Sequence, residues 1–290
     1  MTLPEEQLID TARGAFNVLT WPGDSGPALA IHGLASTNRL WTWLHQAAPW
    51  ATLLAPDLPG RGATPVRDAR PSSARNHADG LAALLDAIGV ETVDVIGMSL
   101  GGFIAVELAA RHPDRVRSVT LVDGGLPTPV MAQPEELAGM LRAKYREQPD
   151  WPDVTAYARH HADTETPLVN AADPRFVEML AHELRDGTAG GPVLRDVDTE
   201  VQDAVSVLAS ERPIAALAQL EAPTRLLHAQ WSTGEGSAPM YPPEHVAALE
   251  KRTSALIHTE LVERVDHAAL IMTDRGAERC AAVLAKALGR

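Results

Sequence analysis

Residues 96–103 read Ile-Gly-Met-Ser-Leu-Gly-Gly-Phe, and no other stretch restricts the fold of this chain so tightly. A short apolar run over 92–96 ends at Gly97. A stretch of helical character then runs over 103–112 and stops at Pro113. Ser99 therefore falls on a sharp strand-to-helix turn. Such a turn needs small residues on both sides, because the chain reverses direction and the serine takes up a strained backbone. It exposes Oγ and leaves the first N–H groups of the helix free to hold an oxyanion. Gly-x-Ser-x-Gly alone is a weak pattern. Between this strand and this helix it marks Ser99 as a nucleophile rather than a helix-capping serine.

The same alternation extends along the chain. Strands are predicted over 15–21, 28–31, 52–55, 92–96 and 117–123, with helices over 39–48, 74–88 and 103–112. Strands alternating with helices imply right-handed crossovers and a mostly parallel α/β sheet covered on both faces. Over 126–210 the rhythm breaks: helical patterns recur at 135–146, 154–161, 175–185 and 200–209, with no convincing strand. This part is expected to be an inserted helical cap, or lid, with 1–125 and 211–290 forming the core. Alternation resumes with a helix over 214–220, a strand over 224–229, a helix over 244–251, a strand over 254–262 and a helix over 276–288.

Composition removes several classes of function. A net charge of −13 argues against nucleic acid and anionic membranes, both of which need clustered Lys and Arg. No apolar run reaches the roughly 18 residues of a spanning helix, and the N-terminus lacks the apolar core of a signal peptide. The single cysteine, Cys280, cannot form a disulfide within the chain and reads as a packed small residue, so a cytoplasmic location is expected.

Serine at its free pKa is a poor nucleophile and needs a base. Of the 11 histidines, His267 stands apart, because it lies just after the last predicted strand. In a parallel sheet that loop shares the carboxyl edge with Ser99. His267 is therefore the expected base. His45, His77, His245 and His258 read as surface positions, His160, His161 and His182 fall in the cap, and His112 sits at a helix C-terminus. His32 reads as structural, bonded to backbone. The backbone N–H groups of Leu34 and Leu100 are placed to form an oxyanion hole.

Four motifs now carry a resemblance: His32-Gly33-Leu34, Asp57-Leu58-Pro59-Gly60-Arg61-Gly62, Gly97-Met98-Ser99-Leu100-Gly101-Gly102 and Asp266-His267. Their order resembles that of the α/β-hydrolase superfamily, in its serine-nucleophile, esterase- and lactonase-like branch with a helical cap. The resemblance covers essentially everything outside the cap. It implies a Ser-acid-His triad with no metal and no organic cofactor. The commonest family pattern puts the acid soon after the strand that begins near Pro223, where this chain has Ala229-Gln230-Trp231-Ser232. Two candidates stand: Asp123, at the end of the strand following the nucleophile helix, a position used in a minority of family branches, and Glu235, in the loop over 230–239. Asp57 and Arg61 read as a salt bridge or loop hydrogen bonds at the site mouth, and Asp266 as pointing away from the site.

Gly33, Trp41, Trp43, Met98, Leu126, Met131, Trp151, Tyr157 and Trp231 are candidates for lining a pocket between core and cap. The expected function is serine hydrolysis of a neutral, hydrophobic carboxylic ester or lactone through an acyl-enzyme. Rivals on the same fold are C–C bond hydrolysis, perhydrolysis and a non-catalytic ligand-binding homologue. The expected partner is the small-molecule substrate, without nucleic acid or membrane insertion; a homodimer is compatible with the sequence.

Overall fold

Each apolar run alternates its side chains between two cores, and this makes a sheet buried on both faces. In β3 (Pro27–Ile31), Leu29 and Ile31 enter one apolar cluster while Ala28 and Ala30 enter the other. The computed structural model describes all residues except 1–2, 67–71, 130–132, 147–150, 187–191, 195–196 and 209–211. The remaining strands are β1 (Glu5–Ile9), β2 (Phe16–Trp21), β4 (Thr52–Pro56), β5 (Val93–Met98), β6 (Val116–Val122), β7 (Leu184–Asp186), β8 (Pro192–Leu194), β9 (Thr224–Ala229) and β10 (Leu256–Val262). Eight of them form one sheet in the order β1-β2-β4-β3-β5-β6-β9-β10. The β1–β2 and β2–β4 pairs are antiparallel; all later neighbours are parallel, so the ends of β5, β6, β9 and β10 meet along one edge.

Helices α1 (Thr42–Ala47), α2 (Ala74–Ala87) and α3 (Leu100–Arg111) make the crossovers of the first half. The segment between β6 and β9 carries α4 (Pro134–Arg146), α5 (Val154–Thr164), α6 (Pro174–Glu183), α7 (Val197–Asp203) and α8 (Arg212–Leu217). Helices α9 (Pro243–Arg252), α10 (Ala269–Met272) and α11 (Asp274–Ala287) complete the second half. Among the described residues no helix is long and apolar enough to cross a membrane.

Three departures from the sequence pattern have local causes. β1 is Glu-Glu-Gln-Leu-Ile, exposed on both faces, so it has no apolar alternation; it is recruited by backbone pairing to β2. β7 and β8 form an antiparallel hairpin where only helices were expected, each three residues long and too short to show a period. The pattern over 200–209 resolves into α7 followed by a π-helical turn, Ala204–Leu208.

The β6–β9 segment is bound to the sheet domain by apolar and polar contacts. Tyr157, Phe176, Met179 and Leu180 share one buried cluster with Trp41, Trp43, Leu44 and Met98. The Arg175 guanidinium lies 5.0 Å from the centre of the Trp43 ring and donates to Gln46 Oε1 (2.8 Å) and Asp274 Oδ1 (2.7 Å). His182 Nε2 bonds to Asp57 Oδ2 at 2.9 Å.

Candidate active site

β5 ends at Met98 and α3 begins at Leu100, leaving Ser99 alone in the turn with φ 53° and ψ −119°. This conformation is sparsely populated for any L-residue and costs of order 1–3 kcal/mol. It is held from below: Ser99 N–H donates to Val122 C=O (3.0 Å), and Gly102 N–H to Ser99 C=O (2.9 Å). The turn also demands close approach. A Cβ at Gly101 would collide with the Ile31 carbonyl, and one at Gly124 with the Ser99 backbone. Gly33 passes directly beside the serine, its Cβ position 3.5 Å from Ser99 Cβ.

On the adjacent strand, Asp123 follows β6 with φ 45°, a second strained non-glycine residue. Its side chain is wholly buried. Asp123 Oδ1 accepts from Ala229 N–H (3.1 Å), and Oδ2 from His267 Nδ1 (2.7 Å). A carboxylate only accepts, so Nδ1 carries a proton, and in the neutral ring Nε2 is the nitrogen that keeps its lone pair. His267 stands in the loop after β10 with a quarter of its side chain exposed. The structure thus brings Ser99, Asp123 and His267 to one sheet edge, on β5, β6 and the β10 loop. Glu235 lies exposed on a turn of the loop after β9.

That loop serves as a clamp. Trp231 N–H donates to Val265 C=O (3.3 Å), His267 N–H to Ser232 C=O (3.3 Å), and Gly234 N–H to Asp266 Oδ2 (2.9 Å). Asp266 Oδ1 also accepts Ala269 N–H (2.8 Å), so its carboxylate faces backbone and away from the imidazole ring's partner. Tyr241 was not legible as a site residue, yet its hydroxyl donates to Leu126 C=O (2.7 Å) and accepts Leu126 N–H (3.3 Å). With His245 bonded to Pro127 C=O (2.7 Å), it fixes the segment that follows Asp123. No sequence pattern flags such long-range contacts to backbone.

His32 accepts Leu58 N–H at Nε2 (2.9 Å) and bonds Gly33 C=O through Nδ1 (2.7 Å). Burial holds its pKa down at about 4 against the pull of Asp57, so the ring is neutral and structural. Leu34 is half-buried, and Leu100 opens α3, where helix geometry leaves its N–H without an intrahelical partner. Of the proposed lining residues, Trp41 and Leu126 are wholly enclosed by protein, so packing is what their side chains do. Met98 and Tyr157 are buried in the cluster that holds Trp41 and Trp43. The Trp151 ring lies tilted at 5.4 Å from that of Tyr157 and 4.8 Å from that of His160, and Trp231 is half-buried. Met131 lies outside the described residues. His77, expected at the surface, is buried against Asp203. Cys280 is packed, and burial pushes its thiol up to about 12.

Glu6, Asp57 and His182 bring ligand atoms within 4.8 Å of one another. Their lone pairs are already committed. Asp57 accepts from Asn38 N–H, Asn17 Nδ2, Ala63 N–H and His182, and Glu6 is paired with Arg39. The cluster reads as a polar tie between α6 and the sheet domain.

A sequence profile for the α/β hydrolase fold matches residues 28–176, slightly more than half of the chain. The chain belongs to the α/β hydrolase fold family. A crystal structure of E-2-(acetamidomethylene)succinate hydrolase superposes on this α/β hydrolase with a TM-score of 0.81 at 19% identity, covering 99% of this chain and 100% of the other. Lipase LipV of Mycobacterium tuberculosis is 43% identical over 103 residues, 35% of this chain and 39% of its own length. A pimeloyl-[acyl-carrier protein] methyl ester esterase of Neisseria meningitidis is 43% identical over 93 residues, 31% of this chain and 33% of its own. The α/β hydrolase therefore has esterase and lipase relatives, and the matches span little more than a third of the length of these two.

Proposed function

We propose that this α/β hydrolase cleaves carboxylic esters or lactones through an acyl-enzyme on Ser99. The observation that carries the reading is the 2.7 Å hydrogen bond from His267 Nδ1 to Asp123 Oδ2 at the sheet edge where Ser99 stands. Its esterase and lipase relatives support the same class of reaction.

In this mechanism His267 Nε2 takes the Ser99 hydroxyl proton as Oγ attacks the carbonyl carbon. Asp123 holds the ring in the tautomer that can accept it and stabilises the imidazolium that results. The N–H groups of Leu34 and Leu100 bind the oxyanion, aided by the positive end of α3. The imidazolium then protonates the leaving alcohol, and a water deprotonated by His267 releases the acid. With a lactone, alcohol and acid depart as one opened chain. The helices between β6 and β9 act as a cap, and Trp151, Tyr157, Met98 and Trp231 favour a neutral, apolar acyl group.

The test compares wild type with Ser99→Ala in hydrolysis of p-nitrophenyl butyrate and a lactone panel. The expected result is turnover in wild type, reduced at least about 10³-fold in the variant with an unchanged melting temperature. Equal turnover in both would overturn the proposal.

A further inference from the structure

Arg61 is a fixed cation with almost no access to water, only 3% exposed, and it joins two parts of the molecule that share no sequence. Its Nε donates to Leu34 C=O at 3.2 Å, and Nη1 donates to Pro59 C=O at 3.0 Å. Nη1 also donates to Asp203 Oδ2. Asp203 ends α7, is fully buried, and takes His77 Nε2 of α2 on its other oxygen at 2.7 Å. Burial works against ionisation of Asp203, yet Arg61 and His77 hold its carboxyl down at about 2.

The same segment is gripped a second time, through side chains. Leu34 packs against a cluster of Ala138 and Leu141 from α4 and Val201 and Ala204 from α7 and its π-turn. The loop bearing Arg61 lies directly beneath α7: a Cβ at Gly60 would come 3.0 Å from Thr199 Cγ2. Main chain and side chain of Leu34 are therefore both referenced to α7.

Stability is a poor explanation for this arrangement. A buried ion pair seldom outperforms an apolar pair of similar volume. Arg61 Nη2, moreover, is buried with no hydrogen-bond partner among the described residues. What the guanidinium does supply is a rigid fork that fixes the Leu34 carbonyl, and through the φ and ψ of Leu34 its N–H, relative to Asp203.

We propose that Arg61 is a positioning residue for the oxyanion loop, set by Asp203, so that seating of the β6–β9 segment completes the Leu34 half of the oxyanion hole. The proposal rests on the hydrolase reading above. Neither residue touches substrate; both act through the Leu34 carbonyl, one residue's backbone dihedrals away from its N–H.

The experiment uses the full chain as wild type, Arg61→Met, Arg61→Lys and the double variant Arg61→Met/Asp203→Leu, assayed with p-nitrophenyl acetate. The small acyl group reports the oxyanion hole and little else. His77 in the double variant keeps Ser72 Oγ at 3.2 Å as a neighbour, so folding should survive. The expected result is a double variant that melts at or above the wild-type temperature while kcat falls roughly 10- to 100-fold with KM within about twofold. Arg61→Lys should fall as far as Arg61→Met, because an ammonium lacks the fork. A folded double variant with wild-type kcat overturns the inference, as does a loss confined to KM, which would mark Arg61 as a substrate contact. A wild type with no Ser99-dependent turnover would instead remove the hydrolase reading, and this inference with it.

Discussion

Asp123 uses its two oxygens for two tasks, one holding the imidazole of His267 and the other tied to Ala229 N–H in the neighbouring strand. The second bond fixes the carboxylate so that the first has a single geometry. Asp123→Asn keeps the volume but offers an amide that can turn an N–H toward His267, favouring the wrong tautomer. The expected loss in kcat is roughly 10³- to 10⁴-fold. Glu235→Gln, on an exposed turn, should change kcat by less than about twofold, and steady-state kinetics on both variants checks the pair. Both carboxylates were candidates in the sequence because each follows a strand at the right edge. Choosing between them needs the φ of 45° that aims Asp123 at the histidine loop, and no residue pattern encodes that angle.

Among the elements, the loop after β9 is informative because its one carboxylate, Glu235, is exposed and is not the partner of the imidazole. Its backbone instead braces the histidine loop, with Asp266 accepting Gly234 N–H and Ala269 N–H in a buried setting. Asp266→Ala would orphan both donors, a loss of roughly 2–5 kcal/mol. Thermal unfolding should show it, with kcat falling in parallel at temperatures where the variant is folded. Gly124→Ala tests the other side of the turn. Its Cβ would meet the Ser99 backbone, so it should lower the melting temperature and also slow turnover by displacing the nucleophile. The strand–helix–strand units around Ser99 were legible because long apolar runs and glycines mark them. The β1 strand and the β7–β8 hairpin were not, since an exposed strand and two three-residue strands leave no periodicity.

For the molecule as a whole, buried titrating groups set its response to acid. Burial keeps His32 neutral with a pKa of about 4, so folding disfavours its protonation. That contribution is complete above about pH 6.5 and is lost as pH falls from 6.5 towards 4, up to about 3 kcal/mol. Asp203 behaves separately: held at about 2, its contribution stays complete above about pH 4. Melting temperature should therefore decline between pH 6.5 and 4.5, and His32→Asn should flatten the decline. Burial pushes His45 and His228 in the same direction, so some slope should persist. A slope identical to wild type would show that His32 is not the group responsible. Motif order was enough to place His32, Ser99 and His267 on one framework, whereas the Arg61–Asp203 tie joins positions 142 apart that no local pattern links. The central claim is that Ser99 is a nucleophile activated by His267. Its most direct test is to treat the protein with a fluorophosphonate and map the adduct by peptide mass spectrometry. A single adduct on the peptide carrying Ser99, lost in His267→Ala, is the result this account predicts; labelling elsewhere, or undiminished labelling without His267, would contradict it.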